Sequence, residues 1–569
     1  MLLCCLLCLL TLLPLALSFC PPKCVCVDGP LPSADCIDAD LNHIPIMLNP
    51  RLRSLTLRGN RIAGIGLDEL SMYTELEYLD LGSNEILSVD RGAFYRLTQL
   101  KSLKLDDNLL PNLQMDLFVG LHMLQILDLS SNGIERIPTA AFSDLRQLEV
   151  LNLSRNAIQI LAPGSLTGLS NLKDLDLEQN LLQIVPKIAF GALTDLRKLN
   201  LAQNRIALLP EASFKSLANL ESLDLAYNAV EEISDDAFLG LRNLRRLNLE
   251  TNLLYRQPTL SFRYLHDLQW LQISDNPFSE IPTSAFEGLA RLEALVITHC
   301  PLLQRVHMNA FSGLHALRSL RLSNNPRLHF IDQFAFEPET QLHQLYLYGN
   351  NLSTLSPRLL NWDHLSILDL RINPWTCNCQ LSWLAEILLR IHGSGLNGYT
   401  EDLVCNGPPP LENRRLLELP QDAYGCTGPI PMRTVVLTLV AMAAVFVALS
   451  ALLVFVFANR HRLSRILPCC ATTQPASSEK TLCYEQPQLT PAPTEGESDA
   501  KWSCYYYTEA VWTPPHTSKE PPKRQSFLAT SDYYSSASLP NSTLSSVSTV
   551  SRDNSFRVLA KYPVPITEL

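Results

Sequence analysis

The sequence has no excess of positive charge and none of the residue clusters that mark common catalytic sites. Its 569 residues include 45 Lys and Arg against 56 Asp and Glu, which is a formal net charge of −11. This balance argues against a protein dedicated to nucleic-acid binding. The sequence shows no nucleophile–base set, metal-binding cluster or phosphate-binding loop. We therefore predict no enzyme, no cofactor and no metal site.

Two groups of four cysteines lack the paired C-x2-C spacing that is typical of zinc sites. The groups bracket the middle of the chain and consist of Cys20, Cys24, Cys26 and Cys36, and of Cys377, Cys379, Cys405 and Cys426. Cysteines in an exported protein favour disulfides, and small disulfide-bonded caps can cover the open ends of a repeat array. Spacing alone leaves the connectivity within each group open.

Between the two groups a nine-residue pattern, L-x-x-L-x-L-x-x-N, occurs fourteen times if Ile273, Ile297 and Cys300 are allowed as substitutes, mostly at intervals of 24 residues. The copies, numbered here as repeats 1 to 14, begin at Leu52, Leu76, Leu100, Leu124, Leu148, Leu172, Leu196, Leu220, Leu244, Leu268, Leu292, Leu317, Leu342 and Leu365. This period resembles that of leucine-rich repeats. We predict an α/β-type solenoid, a leucine-rich repeat horseshoe over residues 50–373 with a parallel β-sheet on its concave side. An N-terminal cap over 20–49 and a C-terminal cap over 374–426 enclose it.

The asparagine that ends each copy is expected to pair its amide with backbone groups of neighbouring coils, because buried polar groups need partners. In repeat 11 this place is taken by Cys300. We expect the same structural role for it, and a free thiol or an intermolecular bridge is the alternative. Phenylalanines that recur about ten residues after the asparagine are expected to stack in the core.

Apolar segments near the two ends predict export and a membrane anchor. Residues 1–18 resemble a signal peptide, although they lack a Lys or Arg. Residues 435–457 carry no charge and are long enough to cross a bilayer as a helix. Basic residues follow at once, which places that side in the cytosol. We predict a single-pass type I plasma-membrane protein with a short stalk over 427–434 and a disordered cytoplasmic tail over 458–569.

Two cap motifs make the resemblance more specific. The stretches C-P-P-K-C-V-C, from Cys20 to Cys26, and N-P-W-T-C-N-C, from Asn373 to Cys379, resemble the cap motifs of extracellular leucine-rich repeat proteins. That resemblance implies the disulfides Cys20–Cys26, Cys24–Cys36, Cys377–Cys405 and Cys379–Cys426. The arrangement of the whole chain is similar to the leucine-rich repeat neuronal family, without its immunoglobulin or fibronectin region, and to insect Tartan and Capricious. These families imply cell recognition.

A partner-binding patch is predicted on the concave side of the later repeats, because interface anchors are enriched in Trp, Tyr and Arg. Its residues are Tyr227, Arg245, Arg246, Trp270, Tyr346 and Tyr348. The alternative is that these side chains only pack against their neighbours along the sheet. Acidic residues that recur at one strand position, such as Asp80 and Asp176, are interpreted as a solvated face.

Two N-x-S sequons, at Asn152 and Asn351, fall in the part predicted to be extracellular. Asn152 lies between the inward leucines Leu151 and Leu153, so its side chain is expected on the concave surface. A glycan there would screen the early repeats, which favours a partner on the later ones.

The tail offers only short motifs. Thr567-Glu568-Leu569 resembles the C-termini that PDZ domains capture by strand addition, with Thr567 and Leu569 as the recognised residues. Cys469 and Cys470, close to the predicted helix, are candidate palmitoylation sites, with two idle thiols as the alternative. Tyrosines of the tail are candidates for phosphorylation.

These observations predict a type I cell-surface receptor or adhesion protein. Its ectodomain would bind an extracellular or cell-surface protein ligand, and its tail a cytosolic PDZ-domain protein. An auxiliary subunit of a channel or receptor in the same membrane is the alternative. Cell aggregation in trans, as against co-purification in cis, would separate the two. An innate-immune receptor is disfavoured, because the tail lacks the strand–helix alternation of a Toll-type signalling domain.

Overall fold

The computed structural model describes residues 20–393, 403–426 and 432–459, and its main feature is one 16-stranded sheet. The first two strands are antiparallel, and each later strand is parallel to its neighbour. The strands are Val25–Val27, Ser33–Asp35, Ser54–Thr56, Tyr78–Asp80, Ser102–Lys104, Ile126–Asp128, Val150–Asn152, Asp174–Asp176, Lys198–Asn200, Ser222–Asp224, Arg246–Asn248, Trp270–Gln272, Ala294–Val296, Ser319–Arg321, Gln344–Tyr346 and Ile367–Asp369. One strand per repeat confirms the predicted parallel-sheet solenoid.

Each repeat strand buries its central leucine and leaves its two flanking side chains partly or fully exposed in most repeats. The strand of repeat 8 is typical, because Leu223 is buried and pairs in register with Leu199 and Leu247. Side chains of a strand alternate between its two faces, so the leucines line the core and their neighbours line the opposite surface. The register of the leucine pattern therefore decides which residues are available to a partner.

The other side of the coils has only short elements. They are the two-residue strands Gly64–Ile65, Ser88–Val89, Leu208–Leu209, Glu232–Ile233, Glu280–Ile281, Arg305–Val306 and Phe330–Ile331, and the 3-10 helices Ala189–Ala192, Ser261–Tyr264 and Trp362–His364. Buried phenylalanines stack beneath them, as their spacing predicts. Ring centroids of Phe262 and Phe286 are 6.2 Å apart, and those of Phe311 and Phe336 are 4.7 Å apart.

The asparagine ladder ties each coil to the one before it. Asn180 donates from Nδ2 to the carbonyl oxygens of Leu153, at 2.9 Å, and Leu177, at 3.2 Å, while its Oδ1 accepts from the Ile158 N–H at 3.0 Å. Cys300 is buried at the same place in repeat 11 and forms no disulfide. Its backbone N–H still donates to Oδ1 of Asn325 at 2.8 Å, so the ladder continues past it.

Disulfide-bonded caps cover both ends of the array. The bonds are Cys20–Cys26, Cys24–Cys36, Cys377–Cys405 and Cys379–Cys426, the same pairs that the resemblance implies. The C-terminal cap contains the helix Ser382–Gly393, the strands Trp375–Thr376 and Cys405–Gly407, and the 3-10 helices Pro409–Leu411, Leu416–Glu418 and Gln421–Tyr424. Trp383 packs on Trp362, with ring centroids 4.9 Å apart, which joins the cap to the last repeat.

A separate helix, Met432–Ala458, is long and apolar enough to cross a membrane, with a mean hydropathy of 2.9 over its most apolar window. It extends beyond the predicted 435–457 at both ends. The helix thus includes the last three residues of the predicted stalk over 427–434, and the bounds of the stalk stay a prediction. The signal peptide over 1–18 lies outside the described residues, as do the tail motifs at Cys469, Cys470, Thr567 and Leu569.

Candidate partner-binding site

The sheet surface, meaning the side chains that flank the buried leucines of the repeat strands, holds a groove of about 770 Å³ over repeats 10 to 14. Trp270 lies on the strand of repeat 10, while Tyr346 and Tyr348 belong to repeat 13. Between them, the register places Ala294 and Ser319 side by side. These two side chains are small, so they leave open space between the aromatic residues.

Two arginines lie in the groove in different electrostatic states. The guanidinium of Arg321 lies over the ring of Tyr346, 5.0 Å from its centroid. Arg371 instead donates to the carboxylate of Asp369 from Nε, at 2.9 Å, and from Nη2, at 2.8 Å. Asp369 is buried, and a buried carboxylate needs such a partner. Arg371 thus has a structural role that Arg321 lacks.

One side of the groove is held by a short polar chain. Nδ2 of Asn324 lies 3.2 Å from Nε2 of His299 and donates to the hydroxyl of Tyr348 at 3.3 Å. These contacts link repeats 11, 12 and 13 and restrict the tyrosine ring. An aromatic side chain that is already ordered costs less entropy when a partner binds.

The six residues of the predicted patch do not all lie together. Trp270, Tyr346 and Tyr348 line the groove. Arg246 pairs in register with Trp270 and is exposed beside it. Arg245 instead lies on the flank of the sheet near Glu221 and Asp267, because neighbouring residues of a strand point in different directions. Tyr227 lies in a turn after its strand, with φ of 55° and 54% exposure.

Sequence reasoning missed Arg321 and Arg371 as groove residues. A signal for both was present, because Arg321 and Tyr346 occupy the same register position, as do Arg371 and Tyr348. Aligning the exposed positions of all repeats would have placed both arginines beside the tyrosines.

The recurrent acidic residues are half-buried on the sheet surface and have a structural role there in addition to their partial contact with solvent. At the last strand position an Oδ1 atom accepts a hydrogen bond of 2.9–3.1 Å from the backbone N–H two residues later, in Asp80, Asp128, Asn152, Asp176, Asn200, Asp224 and Asn248. Asp and Asn alternate there because both supply the same acceptor. The alternation of Asp and Asn at this position in the sequence indicates that the oxygen acceptor matters there and the charge does not.

Acidic groups border the groove on the side of the earlier repeats. Burial raises the pKa of Glu250, and the hydrogen bond from Gln272 only partly offsets this rise. Burial also raises the pKa of Asp275, and the nearby His299 only partly offsets it. Further along the sheet, burial raises the pKa of Asp176. The sheet surface thus carries partly buried carboxyl groups ahead of the groove, whereas aromatic and arginine side chains line the groove itself.

The two sequons differ in their relation to this groove. Asn152 is half-buried on the sheet surface of repeat 5. Its strand lies five strand spacings from the strand of Trp270, which is roughly 24 Å at ~4.8 Å per spacing. Asn351 is exposed and follows the ladder residue Asn350. A glycan on Asn152 would be attached on the same surface as the groove but outside it. Occupancy of both sites stays a prediction.

Comparison with known proteins agrees with the fold. The family described as "Leucine rich repeat" matches residues 50–110, 74–134, 122–182, 148–206, 194–254 and 266–326. Over 100 residues the chain is 35% identical to SLIT and NTRK-like protein 6 of Mus musculus and 36% identical to its Homo sapiens counterpart. Each alignment covers 17% of this chain and 11% of the relative. The matched repeats and the solenoid that they form show a leucine-rich repeat fold, and the part of the chain that the structure describes also holds one candidate membrane-spanning helix.

Proposed function

We propose that this protein is a cell-surface receptor or adhesion protein that binds a protein partner in the groove of repeats 10 to 14. The observation that carries the proposal is the composition of the groove, with Trp270, Tyr346, Tyr348 and Arg321 around small residues. Trp, Tyr and Arg are the residue types most enriched among binding hot spots. The neuronal setting that the resemblance to the leucine-rich repeat neuronal family implies belongs to the same proposal. We propose no catalytic activity.

The proposed topology is type I in the plasma membrane, with the repeats outside and the tail in the cytosol. Its support is the apolar helix Met432–Ala458 and the basic residues Arg460, Arg462 and Arg465 that follow it. An epitope tag placed before Cys20 should be accessible to antibody on intact cells. A tag in the tail should become accessible only after permeabilisation, and the reverse pattern would contradict the topology.

Partner binding is tested by displaying the full chain on cells and probing it with a panel of soluble cell-surface ectodomains. The double substitution Trp270→Ala, Tyr346→Ala should abolish binding of the ectodomain that the wild-type protein binds. Tyr78→Ala is the matched control, because Tyr78 is a 51% exposed aromatic residue on the same sheet in repeat 2. Equal surface expression of all three proteins makes the comparison valid. Undiminished binding by the double variant would refute the groove as the binding site.

A partner in the same membrane is the second candidate function. It is favoured by the short distance along the chain between the last cap cysteine, Cys426, and the apolar helix that begins at Met432. Such a spacing keeps the repeats near the membrane. Co-purification from singly transfected cells without aggregation between cells would select this function over adhesion.

The motifs of the tail add two finer proposals. Capture of Thr567-Glu568-Leu569 by a PDZ domain should be abolished by appending one residue after Leu569, because the terminal carboxylate is part of the recognised group. Palmitoylation of Cys469 and Cys470 should be lost in the double serine variant, measured by acyl exchange. Unchanged capture or unchanged acylation would contradict the respective proposal.

A further inference from the structure

Arg321 is an exposed cation on the sheet surface without a partner of opposite charge. Among the residues that the structure describes, no carboxylate oxygen lies within 4.0 Å of its guanidinium. Several other cations of the same surface are paired: Arg58 donates to Asp106 at 2.7 Å, Arg371 to Asp369 at 2.8 Å, and Lys198 lies 3.7 Å from Asp174. Arg246, exposed beside Trp270, has no carboxylate partner among the described residues either. Arg321 shares this lack of a charge partner with Arg246 and differs from it in lying over the ring of Tyr346.

The nearest acid along the sheet is already occupied. Arg321 pairs in register with Tyr346, and Tyr346 pairs in turn with Asp369. Both carboxylate oxygens of Asp369 accept hydrogen bonds from Arg371, and its side chain is only 3% exposed. A charge partner for Arg321 must therefore come from outside this part of the chain.

Tyr346 orients Arg321 without consuming its hydrogen-bonding capacity. The guanidinium lies over the ring at 5.0 Å, an arrangement that uses the face of the cation. The N–H groups point outward in the plane of the guanidinium, and two parallel N–H groups match the two oxygens of a carboxylate. Stacking thus presents the arginine for bidentate recognition.

The dimensions and the charge of the groove limit what can bind there. From the strand of Trp270 to the strand of Tyr346 is three strand spacings, or roughly 14 Å at ~4.8 Å each. A helix about 10 Å across or one extended segment fits this width. On the side of the earlier repeats, the acids Glu250 and Asp275 lie near the exposed Arg246. Within the groove, Arg321 is the cation that has no carboxylate of its own among the described residues, so it is the group that an incoming carboxylate can pair with there.

We propose that Arg321 binds an aspartate or glutamate side chain of an acidic segment in the protein partner, while Trp270 contacts an apolar residue of the same segment. This inference rests on the proposed function and adds the chemistry of the ligand to it. Arg321 provides charge recognition, and Tyr346 and Asn324 are positioning residues. The occupant is a different protein rather than a second copy of this chain.

The test uses the full chain in lipid nanodiscs and a phage-displayed library of random peptides as the probe. Peptides selected by wild type should be enriched in Asp and Glu next to an apolar residue. Arg321→Ala should bind the selected peptides at least about tenfold more weakly. Arg321→Glu should select basic peptides in their place, and Arg321→Lys should retain part of the affinity. Lys198→Ala, which removes a cation of the same sheet outside the groove, should change nothing.

The outcomes separate this inference from the proposed function. If selected peptides lack acidic residues and bind Arg321→Ala normally but fail to bind Trp270→Ala, the groove is a binding site and the carboxylate assignment is overturned. If neither variant alters selection, both the inference and the proposed function fail. Capture of a second copy of the chain in preference to peptides, or no selection at all, would also overturn the inference.

Discussion

Cys300 shows how a single residue can keep a structural place while losing the chemistry of its neighbours. It occupies an asparagine position and is fully buried. Its Sγ lies 3.9 Å from the carbonyl oxygen of Ile273, where an asparagine would donate a strong hydrogen bond. Burial raises the pKa of its thiol to about 12. At neutral pH the group is therefore a protonated, shielded thiol, which favours the structural role over a free reactive thiol.

Cys300 should consequently be inert in the folded protein, because the thiolate is the reactive species. A membrane-impermeant maleimide should leave it unlabelled on intact cells at pH 7 and should label it after denaturation. Mass spectrometry of the peptide that contains Cys300 measures both states. Labelling of the folded protein, or a disulfide-linked dimer that disappears in Cys300→Ser, would contradict this account.

Asp176 predicts a pH effect on stability. Its folded pKa is raised, chiefly by burial, so its contribution to stability is present below the unfolded pKa of about 3.9 and is lost as pH rises through the folded pKa. Asp176→Asn keeps the oxygen acceptor and removes the charge. It should raise the Tm at pH 7 by on the order of 1–3 °C, and the gain should vanish at pH 3.

The reverse substitution on the next strand is the matched comparison. Asn200→Asp places a second carboxylate beside Asp176 and removes a donor to Glu178, so the Tm should fall at pH 7. Thermal unfolding of the two variants and wild type at both pH values measures this. Equal Tm values at pH 7 would show that the ladder of Asp and Asn is indifferent to charge.

Among the elements, the turns opposite the sheet depend on glycines where successive coils approach closely. Gly168 has φ of +100°, and a Cβ there would lie 2.6 Å from the carbonyl oxygen of Phe142 in the preceding coil. Gly313 has φ of +78°, but a Cβ there would meet nothing within 4 Å. The two sites share a left-handed backbone and differ in the space between coils.

Gly168→Ala should therefore destabilise more than Gly313→Ala, by roughly 1–3 kcal/mol, because only the former forces the backbones of two coils apart. The difference in Tm between the two variants isolates this contact, since both pay for alanine at positive φ. A Tm loss of the same size in both would mean that coil spacing is not set at Gly168.

Strand positions were predictable because the leucine pattern directly reports burial. The pairing of exposed side chains was not, because it depends on register across 24 or 25 residues. Arg245 and Arg246 are adjacent in sequence, yet only Arg246 lies beside Trp270. Arg321 and Tyr346 are far apart in sequence, yet they stack. A periodic pattern says which residues are outside, and the register says which of them meet.

In the whole molecule, we propose that one end of the sheet surface, over repeats 10 to 14, binds the partner and that the earlier repeats do not. The chain itself supplies a way to block either part. The sequon at Asn152 sits at the last position of its strand, and two single substitutions create sequons at the same register position. In the groove, Gln272→Asn creates a sequon whose third residue is Ser274. In repeat 7, Ala202→Ser creates a sequon whose first residue is Asn200.

The most direct test is binding of the partner ectodomain to cells that display these two glycan variants, each with its added glycan verified by a mass shift. Gln272→Ala controls for loss of the glutamine without a glycan. A serine at the position changed by Ala202→Ser is already present in repeat 5, as Ser154, so the fold accepts serine there. The glycan introduced by Gln272→Asn should abolish binding, because it lies in the groove, while the one introduced by Ala202→Ser should leave binding intact. Binding that survives the first glycan and is lost with the second would contradict this proposal.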